Sequence, residues 1–253
     1  MVVLLVPIIL WVCGAYFKRV GWKVTNYQGD EIPYHLGFCI FLLVLGYAYI
    51  VNNVLVLIYL TVLWVTGFID DRYGTKYPKG LKGHISLFLK TGKMTTGLLK
   101  LTSTLAVSMV FVSVIELRFL EQFVILLLLI LPPHVMNLFD TRPLRVWKVI
   151  AIHALLYIPF ILQMSFSLLF TVGFILSALV YIEGTRRGML GDNGATLLGG
   201  IMGVIAVYQL PFFAQGLLIC FYLFIIIVTE KISLSKWIEE RPLLRKIDRW
   251  GIS

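Results

Sequence analysis

Apolar residues in this chain come in long blocks rather than in alternating patterns. Nine blocks predict helices at about 1–17, 35–51, 54–69, 98–115, 119–138, 146–163, 165–183, 194–211 and 213–229. Several are close to the minimum for a bilayer span, which takes roughly 20 residues. Only Asn52 and Asn53 part the second block from the third. One continuous helix is the competing reading there, but it would far exceed the bilayer. The first block, VVLLVPIILWVCGAYF, has no positive residue before it and no small-residue cleavage site, so it reads as a retained helix. The expected fold is an all-α polytopic transmembrane bundle over residues 1–230, with a short tail at 231–253.

Composition agrees. The chain has 253 residues, is 59% hydrophobic and only 14% charged, and has a mean hydropathy of +0.92. Soluble domains carry about a quarter charged residues. No soluble appendage, linker, repeat or low-complexity tract interrupts the blocks. Cys13, Cys39 and Cys220 lie inside apolar blocks, at spacings that fit neither a disulfide framework nor a metal site, and read as buried free thiols.

Charge adds sidedness. With nine spans, one face receives the loops at 18–34, 70–97, 139–145 and 184–193 and the tail. All of the 22 Lys and Arg except Arg118 then fall on that face or the adjacent helix ends. The positive-inside rule makes it cytoplasmic, with the N-terminus out and the C-terminus in. The net charge of +9 is thus explained by topology, without nucleic acid. Such a face also attracts anionic headgroups and phosphorylated substrates. The tail, EKISLSKWIEERPLLRKIDRWGIS, mixes apolar and charged residues, and Pro242 splits it. It predicts an amphipathic segment of two short helices on the cytoplasmic membrane surface.

The acidic residues are placed as tellingly. Asp70 and Asp71 end the third span in GFIDD, Asp140 ends the fifth in PPHVMNLFDTRP, and Asp192 lies between the seventh and eighth in RRGMLGDNGATLLGG. All four share one depth on one face. Helix capping explains any one of them, Asp192 above all. Asp70 and Asp71 are harder to explain. A helix C-terminus repels carboxylates, adjacent carboxylates repel each other, and apolar surroundings add to the cost. Nearby lysines compensate in part. A divalent cation compensates better, and Mg²⁺ suits oxygen ligands completed by substrate phosphates. Pro132 and Pro133 are expected to disrupt the fifth helix, and irregular backbone at membrane depth favours a cavity there. His84 and His134 fall near the carboxylates, while His153 is expected inside the sixth span. Gly199 and Gly203 read as a close-packing pair. There is no P-loop, no Ser-His-Asp set and no metal-type His/Cys spacing.

Four segments, in order, carry a family resemblance: NYQGDEIPYHLG (26–37), GFIDD (67–71), HVMNLFDT (134–141) and MLGDNGATLLGG (189–200). The chain resembles the polyprenyl-phosphate N-acetylhexosamine-1-phosphate transferase superfamily, which includes phospho-N-acetylmuramoyl-pentapeptide transferases and undecaprenyl-phosphate N-acetylglucosamine-1-phosphate transferases. The match in order and spacing runs from about 26 to 203. The resemblance implies a bacterial plasma-membrane enzyme that joins a polyprenyl phosphate to the sugar-1-phosphate of a UDP-sugar, releases UMP and requires Mg²⁺, as the first step of a lipid-linked envelope glycan. Carried over, Asp70, Asp71 and Asp192 would be catalytic, with Asp192 and Asp70 holding the metal. Asn137, Asp140 and Asn26, which lie in the matching segments, would contact substrate; Lys79, Lys82 and His84, in the basic loop after GFIDD, are further candidate substrate contacts from their place near the carboxylates. His134 stands where the family has Asn, and Thr141 where it has Gly. The family's later His-rich loop has no counterpart, and the chain is about one span short. These departures motivate the alternative of a catalytically silent relative that binds a lipid phosphate or an envelope partner. The sequence is compatible with a homodimer packed through small-residue faces. It names neither donor sugar nor lipid length.

Overall fold

The computed structural model describes residues 2–75 and 80–252. Its elements are α1 (Val2–Arg19), a hairpin of β1 (Lys23–Thr25) and β2 (Glu31–Pro33), α2 (Leu36–Val51), α3 (Val54–Tyr73), α4 (Gly80–Thr91), α5 (Thr96–Ser113) and α6 (Phe119–Phe139). Then follow α7 (Arg145–Ala154), a 3₁₀ turn at Leu155–Tyr157, α8 (Ile158–Ile161), α9 (Phe166–Gly184), α10 (Gly191–Gln209) and α11 (Phe212–Lys231). The tail forms α12 (Leu234–Glu239) and α13 (Pro242–Arg249). Helices make up 78% of the chain, so the small hairpin leaves the class all-α. Among the described residues, α3, α5, α6, α9 and α11 are long and apolar enough to cross a membrane, and Leu36–Tyr47 is a shorter apolar helix. This is the pattern of an all-α membrane protein.

The nine apolar blocks all carry helix, with differences that have local causes. The expected sixth helix, 146–163, is three pieces. Pro159 has no N–H for the Leu155 carbonyl and cannot continue a regular ladder, and the chain tightens into the 3₁₀ turn just before it. Residues 80–91, expected to lie in a loop, form α4. Cys220 is exposed on α11, unlike the buried Cys13 and Cys39.

Pro132 and Pro133 do not break α6, contrary to the sequence expectation; the helix runs through both. The two carbonyls that lose their helical donors belong to Leu128 and Leu129. The Tyr59 hydroxyl, from α3, donates to the Leu129 carbonyl at 2.6 Å. The Leu128 carbonyl lies against Gly203 of α10, where no side chain intervenes. Neighbouring helices thus accommodate the interruption, as they do for prolines within membrane helices.

Helix α10 is the centre of the bundle, packed on by α2, α3 and α6. Its glycines make this approach close. A Cβ on Gly199 would lie 2.5 Å from the Pro132 carbonyl oxygen. From the other side, a Cβ on Gly67 of α3 would lie 2.6 Å from Asn193 Cα. These contacts draw the polar ends of α3, α6 and α10 to one place.

The tail has its two helices, split where Pro242 starts α13. Its polar side is clamped to the α6–α7 connection. Arg145 donates to Asp248 through Nε at 2.6 Å and Nη2 at 2.9 Å, and Arg142 Nη2 lies 2.6 Å from Glu239 Oε2. The Lys148 ammonium donates to the Asp248 carbonyl at 2.6 Å. Leu243, Ile247 and Trp250 stay exposed.

Gly67→Ala should lower thermal stability in detergent by about 1–3 kcal/mol, because α3 and α10 must separate. Gly46→Ala, with open space around the new methyl, should leave it unchanged or slightly higher. Equal melts for the two variants would contradict the packing described.

Candidate functional site

Consecutive residues of a helix point about 100° apart, so Asp70 and Asp71, in the last turn of α3, serve different neighbours. Asp70 faces α5 and Asp71 faces α10.

Lys100, one turn into α5, is the hub on the Asp70 side. Its ammonium lies 2.7 Å from Asp70 Oδ2 and 2.9 Å from Asp192 Oδ2. Asn137, near the end of α6, completes the set. Its amide is oriented by its partners: the nitrogen donates to Asp192 Oδ1 at 2.7 Å and the oxygen accepts from Lys100 Nζ at 3.2 Å. Three oxygens from three helices therefore converge on one cation. Asp70 and Asp192 press against the same ammonium, so Lys100 screens a repulsion that would otherwise open the bundle end.

Asp71 fixes the start of α10. Its Oδ1 accepts from the Asp192 backbone N–H at 2.8 Å. Its Oδ2 accepts from the Asn193 backbone N–H at 2.9 Å and from Asn193 Nδ2 at 2.6 Å. A carboxylate contributed by another helix thus caps this N-terminus, where free N–H groups and the helix dipole favour negative charge. Gly191 is required twice over. Its φ is +66°, and a Cβ there would lie 2.8 Å from both Asp71 oxygens. Buried Glu183, at the end of α9, accepts from Trp147 Nε1 of α7, and the Leu144 and Leu190 backbone N–H groups lie on its carboxylate side. It braces the loop that enters α10.

The cluster opens on a cavity of about 200 Å³ lined by Asp70, Lys100, Asn137, His84, His134 and Thr196, with apolar residues of α5 and α6. Lys100 is the one Lys or Arg on its wall among the described residues. The buried Thr196 hydroxyl, from α10, has no hydrogen-bond partner among the described residues. His84, from α4, is held through Nδ1 by Thr95 Oγ1 at 2.8 Å.

The structure therefore gathers Asp70, Asn137 and His84 on one cavity wall, with Asp192 joined to them through Lys100 and Asn137 and Asp71 immediately behind. Asp140, just past α6, is partly buried, and its carboxylate has no hydrogen-bond partner among the described residues. Burial pushes that carboxyl well above the usual carboxylate range; Glu183 and Asp192 push the same way, and Lys100 opposes them. Asn26 stands apart in the hairpin turn. Its Oδ1 accepts from the Gln28 and Asp30 N–H groups, both at 2.9 Å, and it does not line the cavity. Lys79 and the side chain of Lys82 lie outside the described residues.

Sequence reasoning missed Lys100, Glu183 and Thr196 as site residues. Lys100 had a signal: it is a cation inside an apolar run, credited there only to topology. Glu183 had the same signal with opposite sign. A threonine in an apolar helix carries none.

No family model matches this chain, and neither a curated protein nor a solved structure matches it.

Asp71→Ala should cost about 2–4 kcal/mol, since it orphans several donors at the start of α10, and Asp71→Asn about 1–2 kcal/mol. Asp140→Asn, which breaks no hydrogen bond, should stay within about 0.5 kcal/mol. Thermal unfolding of the three variants in one detergent decides; equal melts for Asp71→Ala and Asp140→Asn would refute the capping role.

Proposed function

We propose that the protein is a membrane phosphotransferase, joining a polyprenyl phosphate to the sugar-1-phosphate of a UDP-sugar at the membrane boundary. The observation that carries this reading is the convergence of Asp70, Asp192 and Asn137 on one cation at a cavity between apolar helices. The cavity pairs a polar end with apolar walls of α5 and α6, which suits a reaction whose partners are a lipid phosphate and a nucleotide.

The donor set fits a divalent ion of the Mg²⁺ kind. It is made of hard oxygens, two carboxylates and an amide carbonyl, and these already meet on a positive charge. Asp70 and Asp192 would hold the ion, with Asn137 beside them. When bound, it supplies neutralisation of charge on the phosphates.

The remaining roles belong to the chain. Phosphoryl transfer is largely positioning and charge stabilisation. Lys100 meets an entering phosphate with its ammonium. Thr196 and His84 offer polar atoms to the substrates. Asp71 acts as a positioning residue, because both of its oxygens are already engaged by N–H groups. In the reaction an oxygen of the lipid phosphate bonds to the β-phosphorus of the UDP-sugar. The bond from that phosphorus to the bridging oxygen breaks, and UMP leaves with the electron pair.

One observation favours a second reading, a silent relative that binds a lipid phosphate without chemistry: Lys100 already pairs with both carboxylates.

Purified protein with undecaprenyl phosphate, Mg²⁺ and a panel of UDP-N-acetylhexosamines should release UMP. Chelation should abolish release, and Asp70→Asn or Asp192→Asn should each lower turnover by about 10²-fold or more. Mg²⁺ should also raise the melting temperature of the wild type but not of Asp192→Asn. Folded protein that shows no turnover on any donor, and no Mg²⁺-dependent shift, would leave the silent binder as the reading.

A further inference from the structure

A larger cavity than that of the carboxylate site lies elsewhere. It is a cleft of about 600 Å³ between α1 and α9, lined by Pro7, Leu10, Trp11, Ala178 and Ile182, with Lys18, Arg187 and His35 at its polar end. That volume is within the range of ligand pockets. Its walls are on the outer surface of the bundle. Trp11 is 74% exposed, and α9 is the least buried of the span helices, at 11%.

From the apolar walls and the two cations at one end, we propose that this cleft is a binding site for an anionic phospholipid, its acyl chain between α1 and α9 and its phosphate between Lys18 and Arg187. The inference is independent of the transferase reading.

The two cations are unpaired: neither forms an ion pair with any described carboxylate. Lys18 is in the last turn of α1. Arg187 follows α9 and is steadied with its guanidinium 5.9 Å from the centre of the Tyr181 ring. Its backbone is fixed by the bond from its N–H to the Ile182 carbonyl at 3.0 Å. The segment continues rigidly, since Met189 N–H donates to the Pro33 carbonyl at 3.1 Å. The polar end is therefore held by the fold rather than carried on a free loop.

His35 forms the back of that end. Its ring is buried and fits between Gly14 of α1 and Gly188; a Cβ on Gly14 would lie 3.1 Å from Nε2. Nδ1 donates to the Pro33 carbonyl at 3.4 Å. Nε2 has no hydrogen-bond partner among the described residues, and it lies beside Gly14 on the cleft wall. It is available as an acceptor for a hydroxyl of a glycerol-type headgroup.

Two features choose a lipid over other occupants. A free phosphate would use Lys18 and Arg187 but leave the apolar walls wet. A neutral acyl compound would leave both cations without a counterion. Basic pockets between membrane helices bind anionic headgroups in this way.

The test uses the full-length protein in detergent, exchanged against an equimolar mixture of phosphatidylglycerol and phosphatidylcholine, with retained lipids counted by native mass spectrometry. Wild type should retain phosphatidylglycerol over phosphatidylcholine by at least about tenfold. The exposed-residue variant Lys18→Gln/Arg187→Gln should lose that preference while keeping its melting temperature. Lys90→Gln/Lys93→Gln, which removes two exposed cations elsewhere, should keep the preference. Loss of preference in both double variants would mean diffuse surface attraction and overturn the proposal, as would equal retention of the two lipids by wild type. A photo-crosslinking residue at Tyr181 should give lipid adducts. A crosslinked pair of protein chains as the main product would assign the cleft to a second copy instead, and inorganic phosphate displacing no lipid would be the further expected result.

Discussion

The polar end of this bundle depends on one ammonium group. Two carboxylates drawn from different helices into apolar surroundings repel each other and lose hydration, and each term alone exceeds what a single surface ion pair returns. Lys100 meets both Asp70 and Asp192 within 3 Å, and Asn137 closes the set by donating to one partner and accepting from the other. Because these groups come from α3, α5, α6 and α10, the contact is also what registers the helix ends against one another. A helix sliding by one turn would separate the charges and leave at least one of them buried alone.

That convergence is possible only because the helices behind it come close. In lipid no hydrophobic force presses apolar helices together, so contact area and small residues decide the packing. Gly67, Gly199 and Gly203 remove side chains where α3 and α6 cross α10. The paired prolines of α6 fit the same scheme. They free two carbonyls, one taken by Tyr59 and the other facing the bare backbone of Gly203. A residue pair that reads as a helix breaker thereby becomes part of a close three-helix contact. Asp71 then holds the start of α10 at the depth set by that contact.

The nine helical blocks were legible because hydrophobic runs of span length have few alternative structures. The meeting of Asp70 and Asp192 was legible for an electrostatic reason: charges at the edge of apolar runs need a compensating partner, and several at one depth suggest a shared one; Asn137 entered only through the family resemblance. What the sequence hid was the identity of that partner. Lys100 was assigned to membrane sidedness, a role that every lysine at a helix end satisfies, so its second role left no trace. The division of labour between Asp70 and Asp71 was hidden too, since it depends on which neighbour lies along each side of α3. Asn26 shows the reverse error. An Asn followed by Tyr-Gln-Gly-Asp is a turn sequence first, and its side chain is spent on the Gln28 and Asp30 N–H groups.

Lys100 cancels one of the two carboxylates it touches, and Asp71 is offset in part by the roughly half positive charge of the α10 N-terminus. Negative charge therefore remains wherever both Asp70 and Asp192 are ionised, while burial holds Asp140 towards its neutral form. A cavity in that state repels phosphates. Yet it is walled by apolar residues on one side and polar groups on the other, as a site for an amphiphile would be. For anionic substrates to enter, positive charge must come with them or move toward them. A divalent ion shared between Asp70 and Asp192 would leave the Lys100 ammonium free to turn to the incoming phosphate, so that one exchange would supply both charges. Without that ion, Lys100 stays bound to its carboxylates and the cavity keeps its negative balance. The two proposed readings thus differ in which cation would stand between Asp70 and Asp192, not in the fold that brings these residues together.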